Sequence, residues 1–179
     1  EMAARRLRYG WFAALCREYG YSCVAVAHNL NDNAETMILN LLRGTGIKGM
    51  SGMKEISALP GGNGAVILRP MLSYSRKDIH EYAFSHSLEW REDATNSDVV
   101  YKRNLVRHGI FPLFEKINPS FLETLSADAR RFSQAEAIAG EYFSSARKAV
   151  LLDPLPGEYL RISVDALLAL GHPEFVLFH

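Results

Sequence analysis

The run Tyr21-Ser22-Cys23-Val24-Ala25-Val26-Ala27 constrains this chain more than any other stretch, because it is short, apolar and bounded by helical patterns on both sides. A segment of that length and valine content reads as a buried strand. Before it, Leu7, Trp11, Leu15 and their neighbours recur at helical spacing over residues 2–19, and Gly20 supplies a C-terminal stop. After it, a second helix runs from about Asn33 to Leu42. Helix, strand and helix with tight junctions predict an α/β layer fold with a parallel sheet.

Further along, Arg43 to Met53 is glycine-rich and reads as a functional loop. Ala65 to Leu68 forms a second strand behind the turn Pro60-Gly61-Gly62-Asn63-Gly64. Ser75 caps a helix reaching Ser87, with Asp78 three residues later completing a capping box. Glu92 to Ser97 is a polar loop, Val99 to His108 is helical, and Pro112 marks the end of that helix. Pro119 opens a long helical pattern to about Leu152, which Pro154 and Pro156 break. Glu158 to Ser163 reads as a strand and Val164 to Leu170 as a short helix ending at Gly171.

A chain of 179 residues, 48% hydrophobic and 22% charged, can bury a core as one domain, or as a small domain with part of another. No apolar run approaches the roughly 20 residues of a membrane helix. Cys16 and Cys23 make neither a CxxC nor a disulfide framework, so a reducing, cytoplasmic setting is expected. The net charge of zero hides an asymmetry: 15 Lys and Arg face 12 Asp and Glu up to Asn118, against 5 and 8 beyond it. That excess permits a polyanionic partner without demanding one. Charged residues stand in helical phase from Glu1 onward, and the last residues stop inside the apolar run Phe175-Val176-Leu177-Phe178. Both features lead us to expect a piece of a longer chain.

The turn after the first strand, His28-Asn29-Leu30-Asn31-Asp32-Asn33-Ala34-Glu35-Thr36, lies where open α/β sheets bind ligands, at a strand's carboxyl end. Asp32 and Glu35, three apart, share a helical face and can hold a magnesium ion or an ammonium group. The same two residues also read as a capping box that stabilises the helix by about 0.5–2 kcal/mol with no catalytic role. His28 is a further ligand type, yet no second cluster completes a hydrolytic metal site, and the metal-binding residues stay unassigned.

Ala27-His28-Asn29-Leu30-Asn31-Asp32-Asn33-Ala34-Glu35-Thr36, followed by Arg43-Gly44-Thr45-Gly46-Ile47-Lys48-Gly49-Met50, resembles the AHHxDDxAET…RGSGxxGL pattern of tRNA(Ile)-lysidine synthases, a branch of the PP-loop ATP pyrophosphatases. Arg5-x-x-Arg8-Tyr9-x-x-Phe12 is similar to the family's ARxxRYxxF helix. Arg69-Pro70-Met71-Leu72 resembles its RPLL, with Arg76 following. Glu92-Asp93-x-Thr95-Asn96 through Tyr101-x-Arg103-Asn104-x-x-Arg107 and Pro112 resembles its EDxTN…YxRNxxR…P signature. The matches run in order over residues 1 to about 120. Two departures stand out: Asn29 and Asn31 replace the His and Asp of the commoner pattern. The family's SGGxDS loop, which cradles the pyrophosphate of ATP, is not in the sequence, and its natural place is upstream of Glu1.

The resemblance implies an incomplete parallel-sheet N-type ATP pyrophosphatase domain, adenine nucleotide alpha hydrolase-like, over residues 1–118. It implies a mainly helical connector and the start of a middle substrate- and tRNA-binding domain over 119–179. It implies ATP and Mg2+ as cofactors, free lysine and a CAU-anticodon tRNA(Ile) as partners, and leaves a homodimer open. ATP would activate C2 of the wobble cytidine, and the lysine ε-amine would then form lysidine with loss of AMP. Asp32, Glu35, His28 and Arg43 are the candidate catalytic residues, with Arg43, Gly44 and Gly46 at the nucleotide. Arg5, Arg8, Arg103, Asn104 and Arg107 are the candidate tRNA contacts, although the last three can equally form a solvated face or pair with Glu92 and Asp93. Tyr9, Trp11 and Phe12 are expected in the core. Without the SGGxDS loop, the residues at hand are expected to be inactive alone. Two other readings stay open: a tRNA-binding or scaffold piece with no chemistry, and a related enzyme of tRNA 2-thiolation, whose persulfide route uses paired cysteines unlike Cys16 and Cys23.

Overall fold

The computed structural model describes residues 2–91, 102–155 and 159–177. Helix α1 spans Met2–Tyr19, and Gly20, at φ 70°, lets the backbone leave it. Strand β1 (Cys23–Ala25) follows, then α2 (Leu30–Arg43), the single-turn α3 (Ile47–Met50), β2 (Ile56–Ala58) and β3 (Val66–Leu68). β1 runs parallel to β3, with Val24 opposite Ile67. β2 pairs antiparallel to β3, with Ser57 opposite Ile67, so the order is β1-β3-β2.

The sheet is therefore mixed. Its parallel pair is the expected one, and the antiparallel edge is an addition. The turn Pro60–Gly64 closes a β2–β3 hairpin, with Gly61, Asn63 and Gly64 all at positive φ. Strand β2 escapes a sequence reading because three residues, Ile-Ser-Ala, carry no periodicity to detect.

The described residues bury two hydrophobic clusters. Ala13 and Cys16 of α1, flanked by Tyr9 and Phe12, pack on Leu59, Ala65 and Ile67 of the sheet layer. The stripe at Leu7 and Trp11 faces outward instead, at 74% and 61% exposure. α1 carries two apolar stripes, and Tyr9, Phe12, Ala13 and Cys16 also obey the i, i+3, i+4, i+7 rule. Contact with the sheet selects between them. The expectation of a core position thus fails for Trp11.

The other core joins Ala34, Ile38 and Leu39 of α2 to Val106, Phe111 and Phe121. After α4 (Arg76–Ser85) and α5 (Lys102–Leu105), those partners come from a wide π-helical turn (Val106–Ile110), α6 (Phe111–Ile117) and the long α7 (Phe121–Val150). α4 starts at the expected capping box of Ser75 with Asp78. Pro112 does not stop the helical course. It sits in the first turn of α6, where a missing N–H costs no hydrogen bond. Glu92–Ser97 and the beginning of the segment read as helical from Val99 lie outside the described residues.

α7 ends in β4 (Leu151–Leu152), which pairs antiparallel with β5 (Arg161–Ile162), ahead of α8 (Val164–Leu168) and α9 (Pro173–Leu177). Tyr142 of α7 anchors this end: its hydroxyl accepts the His172 N–H at 3.3 Å, and its ring lies 6.1 Å from that of Phe175. No helix among the described residues is long and apolar enough to cross a membrane.

Candidate active-site cleft

The first turn of α2 is built by asparagines. Asn29 is the N-cap: its Oδ1 accepts the Asp32 N–H at 3.0 Å, and its own N–H donates to Asp32 Oδ2 at 3.1 Å. The capping box is thus Asn29–Asp32, three residues upstream of the Asp32–Glu35 pair that spacing suggests. Asn29 supplies the cap oxygen, so Asp32 takes the third helical position and Glu35 is left outside the box.

Glu35 is instead enclosed completely, at 0% exposure. Arg107 Nε donates to its Oε1 at 2.8 Å, and Arg107 Nη2 stands 3.6 Å from Asp32 Oδ1. Glu35 Oε2 meets no hydrogen-bond donor among the described residues. Burial pushes the Glu35 carboxyl above its ordinary range, and the Arg107 hydrogen bond opposes that rise.

His28, three residues past β1, is half-buried, and its Nδ1 also has no partner among the described residues. Burial lowers its pKa below the ordinary 6.5; Asp32 pulls upward, while Arg69, Arg103 and Arg5 push further down. The imidazole is neutral near pH 7, able to accept a proton.

An open cavity of about 660 Å³ lies beside it, lined by Arg5, Arg8, His28, Thr36, Asn40, Arg43 and Arg103 among others. Four arginines and no acid line this wall, which suits a polyanion. Arg5 and Arg8 lean on the Tyr9 ring, at 4.9 and 5.9 Å from its centre. Arg103 donates from Nη2 to Thr36 Oγ1 at 3.2 Å, and that hydroxyl donates to the Asp32 carbonyl at 2.9 Å. A second cavity of about 730 Å³ shares Arg5 and adds Arg6, Ser57 and Arg69.

Arg43 ends α2, and Gly44 follows at φ 79°, its N–H returning to the Leu41 carbonyl at 3.1 Å. Gly46 caps α3 in extended conformation. Neither glycine lines the cavity, nor do Asp32, Glu35, Asn104 or Arg107. Asn104 is buried. Two asparagines a heptad apart pin the glycine loop to α2: Asn40 Nδ2 donates to the Gly49 carbonyl at 2.9 Å, and Asn33 Oδ1 accepts the Met53 N–H at 2.6 Å.

The structure thus gathers His28, Arg5, Arg8, Arg43 and Arg103 at one opening and sets Asp32, Glu35 and Arg107 together as a separate knot. Sequence reasoning assigned no role to Thr36 or Asn40; Asn29 three residues before Asp32 was the readable signal for the box of α2. Cys16 is buried and Cys23 exposed, so the two thiols belong to different environments.

Fold and site define an α/β protein with a cationic cleft at the exit of a parallel strand. Residues 1–114 match the family model described as a PP-loop domain, and the chain belongs to that family. Curated relatives share the name tRNA(Ile)-lysidine synthase. That of Parabacteroides distasonis is 39% identical over 178 residues, covering 99% of this chain and 38% of the relative. That of Porphyromonas gingivalis is 45% identical over 146 residues, covering 82% and 30%. That of Thermosipho africanus is 44% identical over 121 residues, covering 68% and 27%. The chain spans less than half the length of these relatives.

Proposed function

We propose that the whole protein to which these residues belong is an ATP-dependent ligase that joins lysine to C2 of the wobble cytidine in a CAU-anticodon tRNA(Ile). The observation that carries this reading is the arginine-walled cleft at the exit of β1, with His28 on its rim. The name shared by the relatives supports it.

In this reading Arg43, Arg5, Arg8 and Arg103 draw in the phosphates of ATP and tRNA, whose charge dominates such affinity. The C2 oxygen attacks the α-phosphorus of ATP and pyrophosphate leaves. The neutral ε-amine of lysine then attacks C2, the oxygen departs with AMP, and the amine gives up a proton. In this reading His28 takes that proton, and Asp32, held by Asn29 and Arg107 behind the cleft, receives the lysine ammonium by giving up its Arg107 contact. Arg107 and the buried Asn104 serve this site from inside, with Arg107 keeping Asp32 and Glu35 in place; contact with tRNA falls to the exposed arginines. Gly44 and Gly46 shape the loop behind Arg43 and let it approach a nucleotide.

For Mg2+ the described residues do not make a home of their own. No group of three or more His, Cys, Asp or Glu among them could hold a metal ion, and the oxygens of Asp32 are engaged with Asn29 and Arg107. No step here is routed through the ion. The reading places the reaction in the cytoplasm and leaves a homodimer compatible with it.

The test is incorporation of labelled lysine into CAU-anticodon tRNA by the full-length protein with ATP. Absence of incorporation by a folded, intact protein overturns the proposal. Asp32→Ala is expected to abolish transfer; a wild-type rate in that variant would reduce Asp32 to a helix cap.

A further inference from the structure

Asn31 occupies a place where the commoner pattern of the resembling family has an acid, and the structure gives it a defined partner. Its Oδ1 accepts the backbone N–H of Arg76 at 2.8 Å, across 45 residues of chain. Arg76 is the first residue of α4, so its N–H is one of the helix-end donors that no intrahelical carbonyl satisfies. Ser75 caps the Asp78 N–H of the same turn, leaving Arg76 to be capped from outside by α2. One residue earlier, the Leu30 N–H donates to the Tyr74 carbonyl at 2.9 Å. The two bonds form a double latch between the first turn of α2 and the entry to α4.

The far side of this latch is itself fixed. Arg69, buried after β3, donates from Nη1 to the Lys54 carbonyl at 2.7 Å and to Ser57 Oγ at 2.9 Å. From there the tight turn through Leu72 leads to Tyr74. Sheet edge, turn and α2 start are therefore tied in series, and the last tie is Asn31.

We propose that Asn31 is a positioning residue: through the Arg76 N–H it holds the turn bearing His28 and Asp32 against the β3–α4 connection, acting as a neutral acceptor with no acid–base part in the chemistry. The departure from the family pattern is then conservative in the property that matters here. An aspartate would offer the same oxygen; asparagine keeps the acceptor and removes a second charge beside Asp32. Displacing a turn that carries reacting groups by a fraction of an ångström lowers rate more than binding.

The proposal rests on the lysine-transfer reading, and its test separates the two. In the full-length protein, Asn31→Leu deletes the acceptor and Asn31→Asp keeps it. Arg76→Pro deletes the donor from the other side. Proline suits the first position of a helix, and Ser75 already has the extended backbone (φ −72°, ψ 162°) that a residue before proline needs. Arg76→Ala removes the side chain but keeps the N–H. We expect Asn31→Leu to raise hydrogen exchange at the Arg76 amide about tenfold, and both Asn31→Leu and Arg76→Pro to lower kcat for lysine transfer about tenfold with KM for lysine little changed. Asn31→Asp and Arg76→Ala should stay within about threefold of wild type, and the double variant Asn31→Leu/Arg76→Pro should be no worse than either single one. Unchanged Arg76 exchange in Asn31→Leu, additive losses in the double variant, or an Asn31→Asp as slow as Asn31→Leu would each overturn the proposal. If Asn31→Leu does not fold, Arg76→Pro against Arg76→Ala decides alone. If the wild type transfers no lysine, the functional reading falls, while hydrogen exchange at the Arg76 amide in Asn31→Leu still decides whether the latch exists.

Discussion

Arg107 reaches Glu35 from a different segment, 72 residues away, and its Nε donates to the enclosed Oε1 at 2.8 Å. A wholly buried carboxylate is tolerated in a protein interior when a partner of opposite charge satisfies it. This contact, with the 3.6 Å approach to Asp32, staples the wide turn after α5 onto α2.

Removing the guanidinium should therefore cost more than losing a surface ion pair. Arg107→Ala is expected to destabilise the protein by about 3–5 kcal/mol, because the Glu35 charge is left uncompensated. Urea unfolding measures this. A loss below about 1 kcal/mol would place the pair among the exposed bridges that contribute little.

Glu35 makes stability pH-dependent in an unusual direction for an acid. Its pKa in the folded protein is raised above the ordinary 4.5, mainly by burial. Its contribution is thus full below the unfolded value and is lost as pH rises through the folded value, since the native state holds the proton longer. Wild type should lose stability relative to Glu35→Gln as pH is raised from about 4 to neutrality. Parallel unfolding curves for the two proteins across that range would refute the shift.

His28 works at the other end. Burial lowers its pKa from 6.5, so its contribution is present above that value and is lost as pH falls through the folded one. Relative to His28→Gln, wild type should weaken as pH drops from about 7.5 to about 5. Titration of the imidazole by NMR gives the direct check: a midpoint at or above 6.5 contradicts the lowering.

Gly52 offers a backbone test of the loop clamp. It sits at φ 67°, and a Cβ there would run into Oδ1 of the buried Asn33, the atom that accepts the Met53 N–H. Gly52→Ala combines left-handed strain with disturbance of that hydrogen bond and should cost about 1–3 kcal/mol. An unchanged melting temperature would show that the clamp gives way freely.

Much of this was legible in the chain itself. The run Tyr21–Ala27 announced a strand between two helices, and β1 lies within it. Ser75 with Asp78 announced the start of α4. The ordered motifs from Arg5 to Arg107 pointed to the PP-loop family that the match over residues 1–114 shows. Less legible was the face of α1 that turns inward, because two stripes satisfy the same periodicity and only the sheet decides between them. The cap of α2 was misassigned by three residues, since Asn29–Asp32 and Asp32–Glu35 both fit the box spacing and only one can sit at the start of the helix.

Local rules, then, determined where helices and strands begin, because caps, glycines and periodicity act over a few neighbouring residues. Tertiary structure alone decided the company each functional side chain keeps. Glu35 meets Arg107, Asn31 meets Arg76 and Thr36 meets Arg103 across separations of 72, 45 and 67 residues. Contacts of that kind depend on how whole elements pack, and no spacing along the chain encodes them.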